Sequence, residues 1–155
     1  MQNLNPDFQE RLMKLINDSP FPSHMKMRIT DIAFGSCHFE MTAEKFRMQP
    51  YGVVHGGNLA TLIDSAAFWA CFVALGNDSD GLTSVDLKLN YLAPCRLEKM
   101  VCTGKMIKAG KTLFSAEASA FSSEGKLLAN GSSILMRLPN AGIKLGVPMF
   151  EAKSR

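Results

Sequence analysis

The sequence predicts an α+β domain in which one curved antiparallel sheet wraps a single long helix. Three observations carry that prediction. The stretch from Tyr51 to Cys71, YGVVHGGNLATLIDSAAFWAC, runs through His55-Gly56-Gly57 into a segment whose apolar residues Leu59, Leu62, Ile63, Ala66, Ala67, Ala70 and, just beyond, Val73 recur at helical spacing. Apolar residues occupy most of its faces, so it reads as a helix buried almost all round. Two extended runs precede it and four follow, and a curved sheet is what covers such a helix on most sides.

In chain order, Asn5-Pro6-Asp7 is a helix start, with Asn5 capping and Pro6 in the first turn. Phe8, Leu12, Leu15 and Ile16 mark one apolar face, and Asp18-Ser19-Pro20 ends the helix, with Pro22 keeping the connection irregular. Met27 to Ala33 and Ser36 to Thr42 read as strands joined by a tight turn at Phe34-Gly35. In the second, Cys37, Phe39 and Met41 alternate with polar residues that include His38, which places His38 on the exposed face. His24, in the proline-rich connection, has no evident role. Ala43 to Gly52 is a polar loop in which Pro50 restricts Gln49 to an extended conformation.

After the central helix, Gly76 to Gly81 is a strong loop signal. Thr83 to Leu92 then alternates cleanly, with Val85, Leu87, Leu89 and Tyr91 on one face and Ser84, Asp86, Lys88 and Asn90 on the other. Met100 to Lys108, Thr112 to Phe121 and Leu127 to Leu138 complete a predicted antiparallel meander of four strands. The organisation is thus an N-terminal helix and connection over 1–26, one domain over 27–138 and, from Pro139, an aperiodic tail over 139–155 expected to be mobile or loosely docked.

The chain has 155 residues, 46% of them hydrophobic and 20% charged, which is enough for one soluble domain with a substantial core. The formal charge of +3 is mild and the basic residues are spread out, so nucleic-acid binding is not indicated, while an anionic small molecule would be tolerated. No unbroken apolar run of membrane-spanning length stands out, and the polar N-terminus is not that of a secretory signal. Cys37, Cys71, Cys95 and Cys102 lack metal-site spacing and read as free, core-filling thiols of a cytoplasmic protein. None stands in a context that would activate it as a nucleophile.

The central stretch also carries chemistry. The first N–H groups of a helix lack intrahelical partners and lie at the positive end of its dipole. Gly56 and Gly57 leave that backbone open to a ligand, so they could donate to a carbonyl oxygen that becomes negative during reaction. Asp64 follows in an otherwise apolar segment, roughly 10 Å further along the axis. That is far for one chain to serve one reacting carbon, unless a second subunit places its own Asp64 opposite the turn. The plainer reading is a turn followed by a solvated acid. Burying an unpaired carboxylate is expensive, which weighs toward chemistry. Gln49 could donate an amide hydrogen bond near the glycine turn, although it reads first as a surface-loop residue.

These residues together resemble a known family. Gly52-Val53-Val54-His55-Gly56-Gly57, Leu59 to Ala66, Ser84 to Pro94 and Lys108 to Thr112 closely resemble the hotdog-fold acyl-CoA thioesterases of the PaaI-like group, over roughly Met27 to Leu138. The resemblance implies hydrolysis of a thioester, with coenzyme A entering as part of the substrate and no cofactor or metal. It implies that the Gly56 N–H polarises the carbonyl, that Asp64 of the neighbouring subunit is general base or nucleophile, and that His55 shapes the turn and helps hold the carbonyl or leaving group. Gln49 stands where many relatives have an assisting Asn, and Ser84 maps to a water-positioning hydroxyl of some. Others place a hydroxyl where this chain has Phe68, so that version of the site is absent.

For binding, the resemblance adds Gly57, an acyl lining from Phe68, Trp69 and Phe72 that reads equally as core, and Arg96, Lys108 and Lys111 near the phosphates, each reading first as ordinary surface. A homodimer or dimer of dimers is expected, because the sheet leaves edges and an unclosed face for a second copy to cover. Two other classes remain open. One is a hotdog dehydratase or hydratase, whose Asp-x-Asn-Pro-x-x-His run is missing here; the other is a non-enzymatic acyl-CoA-binding module.

Overall fold

The computed structural model describes residues 3–151. Helix α1 (Pro6–Asp18) begins as predicted, with the Asn5 side chain accepting from the Asp7 N–H at 3.0 Å. It buries Phe8, Leu12 and Ile16 against the first strand. The connection expected to be irregular is instead a short helix, α2 (Pro20–His24). Pro20 and Pro22 both fall in its first turn, where an N–H has no intrahelical acceptor to lose.

The hairpin β1 (Met27–Ala33) and β2 (Ser36–Thr42) turns at Gly35, whose φ of 78° is costly for other residues. Strands β3 (Gly81–Tyr91), β4 (Lys99–Ala109), β5 (Leu113–Ser122) and β6 (Leu127–Leu138) follow. All pairings are antiparallel, in the order β1-β2-β4-β5-β6-β3. Only β4-β5-β6 is a meander. The predicted four-strand meander fails at β3, which pairs with β6 from Gly81↔Leu138 to Tyr91↔Ala129 and forms an edge of the sheet. Short turns dictate hairpin neighbours, but residues 92–98, with Pro94 among them, make an ordered crossing that leaves β4 free to pair with β2. The clean alternation predicted for β3 is also interrupted, by a register shift between Ser84 and Asp86.

The sheet curls round α3 (Gly56–Phe72), which continues as a 3-10 turn, Val73–Leu75, and stops at Gly76 with φ 75°. Small residues allow close approach. Ala116, Ala118 and Ala120 of β5 face inward and are buried. A Cβ on Gly104 would lie 2.0 Å from the Ala66 carbonyl oxygen. Contrary to the expectation of burial almost all round, one stripe of α3 stays partly open: Ala60, Thr61, Asp64, Ser65, Phe68 and Trp69. A single curved sheet covers only the side it faces. Residues 56–75 are, against the sequence reading, long and apolar enough to cross a membrane. Most of this segment is instead buried under the sheet, as the core helix of a folded domain.

The tail is docked where a loose one was expected. Met149 is buried, Leu4 bridges to Phe150, and Arg11 donates to the Leu145 carbonyl at 2.9 Å. Ile143, Leu145 and Val147 pack against the core without regular periodicity, which is why no pattern announced them.

Candidate active site

The amino end of α3 is built by its own capping residue. His55 is the N-cap, with extended backbone (φ −62°, ψ 133°), and its Nδ1 accepts from the Gly57 N–H at 2.9 Å. With Nδ1 accepting, the proton of the neutral ring sits on Nε2, so His55 presents a donor outward rather than a base. Of the two glycine N–H groups predicted as carbonyl donors, Gly57's is therefore engaged within the turn. No acceptor for the Gly56 N–H exists among the described residues. Sequence spacing could not separate the two, because the difference lies in the rotamer of His55.

Gly56 opens on a cavity of ≈ 360 Å³ lined by Val54, Leu59, Tyr91, Leu92, Ala93, Pro94 and Cys95. A Cβ at Gly56 would come within 3.0 Å of Cε1 of Tyr91, so the Tyr91 ring rests directly against this backbone. Spacing assigned Tyr91 no role; it sits at the end of β3, in the Ser84 to Pro94 run, and only the β3 placement brings it to the glycine turn. A second cavity, of ≈ 370 Å³, flanks the other side of the turn between His24, Phe46, Arg47, His55 and Gly57.

Asp64 lies on the open stripe of α3, and its Oδ1 accepts from Ser84 Oγ at 2.8 Å. The two candidates, 20 residues apart in sequence, are joined because β3 packs across the helix. A charge-assisted bond of this kind fixes the carboxylate without neutralising it. Phe68, one turn on along the same stripe, is partly exposed and meets Trp69 edge-on at 5.1 Å, with Trp69 and Phe72 at 5.0 Å. Gly56 and Asp64 share one helix and stand about 12 Å apart along it, at ~1.5 Å per residue, so one chain does not bring them to a single atom.

Gln49 is part of the approach to the turn. Its Oε1 accepts from the Tyr51 N–H at 3.0 Å and its carbonyl from Gly52 at 3.0 Å, which leaves the side-chain NH2 without an acceptor among the described residues. Lys108 and Lys111 are exposed beside an open cavity of ≈ 450 Å³ at the β4–β5 turn, with Leu113, Phe114 and Ile134. Arg96 is exposed in the β3–β4 connection and lines none of these cavities. His38 is exposed, its Nδ1 3.1 Å from Thr103 Oγ1, away from the glycine turn on β2.

All four cysteines are buried. Burial pushes the Cys71 and Cys102 thiols up to about 12 and Cys95 up to about 11, and it raises Cys37 as well. These are protonated core residues, not nucleophiles. No cluster of three or more His, Cys, Asp or Glu residues that could hold a metal occurs among the described residues.

A long helix in the curl of a six-stranded antiparallel sheet, with a glycine turn at its amino end and an acid on its open stripe, defines a hotdog-fold protein of the PaaI-like kind. The thioesterase superfamily model matches residues 51–129, more than half of the sequence, and the chain belongs to that family, as a thioester hydrolase. Acyl-coenzyme A thioesterase 13 of Homo sapiens is 33% identical over 108 residues, covering 68% of this chain and 76% of the relative. Among solved structures, the Escherichia coli PaaI protein superposes with a TM-score of 0.80 at 16% identity, over 91% of this chain and 99% of its own. A Haemophilus influenzae thioesterase does so with a TM-score of 0.80 at 22% identity, over 95% and 100%.

Proposed function

We propose that this chain hydrolyses acyl-CoA thioesters as a homodimer or dimer of dimers, each reacting centre being shared by two subunits. The observation that carries the proposal is the division of labour along α3. A free N–H at Gly56 and a carboxylate tethered by Ser84 at Asp64 are both poised for carbonyl chemistry, yet stand too far apart in one chain. In an antiparallel pair of such helices the Asp64 of one subunit faces the Gly56 of the other.

The thioester carbonyl then takes a hydrogen bond from Gly56 at the positive end of the helix. This bond strengthens as the oxygen gains charge, so it favours the transition state over the ground state. Asp64 takes the proton from a water whose oxygen bonds to the carbonyl carbon, or its own oxygen bonds there to give an anhydride that water then opens. Either way the C–S bond breaks, the thiolate of coenzyme A takes up a proton, and the acyl chain of the acid lies against Phe68 and its neighbours. His55 Nε2–H and the Gln49 amide are donors for the carbonyl or the departing sulfur. Lys108, Lys111 and Arg96 supply positive charge for the phosphates of coenzyme A. The relative acyl-coenzyme A thioesterase 13 supports the choice of acyl-CoA.

The test is release of free thiol from acetyl-, hexanoyl-, palmitoyl-, phenylacetyl- and benzoyl-CoA by the wild type and by Asp64→Ala. Release from at least one member that falls about 10²- to 10⁴-fold in a folded, dimeric Asp64→Ala is expected for loss of base or nucleophile. Undiminished hydrolysis by that variant would remove Asp64 from the mechanism. No release from any member would turn attention to carrier-protein thioesters, to hydration of enoyl thioesters or to acyl-CoA binding alone.

A further inference from the structure

Arg47 is only 2% exposed, yet among the described residues no carboxylate lies within ion-pair distance of it. Its Nη1 donates to Asn58 Oδ1 at 3.2 Å and approaches the Met41 and Met25 sulfurs at 3.5 and 3.8 Å; its Nη2 donates to the Met25 carbonyl. Its Nε has no partner among the described residues, and the Phe46 ring covers the guanidinium at 4.6 Å. Burial pulls its pKa below the ordinary value. Glu44 acts on it only from beyond ion-pair distance, and a buried cation with no carboxylate in contact is a poor way to stabilise a fold, so its connections are informative.

They lead to the glycine turn. The Arg47 carbonyl accepts from the His55 N–H at 2.8 Å and from Asn58 Nδ2 at 3.3 Å. Asn58 Nδ2 also donates to the His55 carbonyl at 3.0 Å, which accepts the Asn58 N–H at 2.9 Å as well. The backbone of His55 is thus tied on both sides, and its carbonyl and the Gly56 N–H belong to one peptide plane. We propose that Arg47 and Asn58 are positioning residues, a clamp that fixes the His55–Gly56 peptide so that the Gly56 N–H faces the reacting carbonyl. The proposal rests on the role given to Gly56 above. Both line the cavity beside His55 and Gly57, and they act through the orientation of one donor.

Asn58→Asp separates this role from a merely structural one. The carboxylate still accepts from Arg47, and gives it a counter-charge in direct contact, but it has no hydrogens for the Arg47 and His55 carbonyls and repels both. The expected result is a thermal midpoint at or above that of the wild type, with kcat lowered about 10- to 100-fold and KM within about threefold, since small misplacement of a donor costs rate more than binding. Exchange of the Gly57 amide, protected by His55 Nδ1 only while the turn is held, is expected to speed up in the same variant. Asn58→Ala, which removes the three side-chain bonds with a small helix former, is measured alongside and decides the matter if the Asp variant does not fold. A wild-type kcat, or unchanged Gly57 exchange, in whichever variant folds would overturn the clamp. Hydrolysis that survives in Asp64→Ala overturns the catalytic reading instead, and the exchange measurement, which needs no activity, then still decides the clamp.

Discussion

Ser84 is the residue that gives Asp64 a fixed direction. The carboxylate is half-buried on the open stripe of α3, and the hydroxyl of β3 at 2.8 Å is its one side-chain partner among the described residues. A neutral hydroxyl orients the charge and leaves it free to act, which a lysine or arginine there would not. Ser84→Ala is therefore expected to keep the fold and lower kcat about tenfold, the worth of one hydrogen bond to a charged group; steady-state kinetics beside a thermal melt is the check, and an unchanged kcat would leave Ser84 a packing residue. The same scale accounts for what a pattern of residue types could not supply. The pair of glycines was legible as a turn opening the helix, but which N–H is free depends on the ring of His55 turning back to cap Gly57.

At the scale of elements, the helix and sheet meet through glycine and alanine. A methyl group on Gly104 would enter the Ala66 carbonyl at 2.0 Å, backbone against backbone, and neither strand β4 nor helix α3 can yield locally. Gly104→Ala is expected to cost more than ~3 kcal/mol, at the upper end of overpacking, and to be visible as a lost or strongly lowered transition in urea. A midpoint near the wild-type value would mean that the helix and sheet are separable after all. The periodicities that announced α1, α3, β1, β2 and the β4–β6 meander are local, set by 3.6- and 2-residue repeats and by short turns, so these were readable. The neighbours of β3 were not, because residues 92–98 make no hairpin and nothing local says that β6, rather than β4, receives it.

For the whole molecule, β3 is at once the sheet edge and the strand that carries Ser84 and Tyr91. Val85, Leu87 and Tyr91 are exposed on it, at 53%, 36% and 57%, an apolar edge of the kind that natural sheets cover or charge. On the dimeric reading, a second copy covers it and delivers Asp64 across the interface. Val85→Lys with Leu87→Lys is expected to halve the mass seen by light scattering and to abolish hydrolysis in a chain that remains folded, since both halves of the centre are then intact but apart. A monomer of undiminished activity would return the whole reaction to one subunit.

By itself, the sequence determined the long apolar helix, the strands around it, the glycine turn at His55-Gly56-Gly57 and the lone acid at Asp64, because each is written in spacing over a few turns or a few alternations. The tertiary structure alone decided that β3 lies beyond β6, that Ser84 therefore reaches Asp64 and Tyr91 reaches Gly56, that the tail docks, and that Arg47 is buried behind the turn. Those facts depend on pairings between residues tens of positions apart and on side-chain rotamers, and neither leaves a periodic trace in the chain.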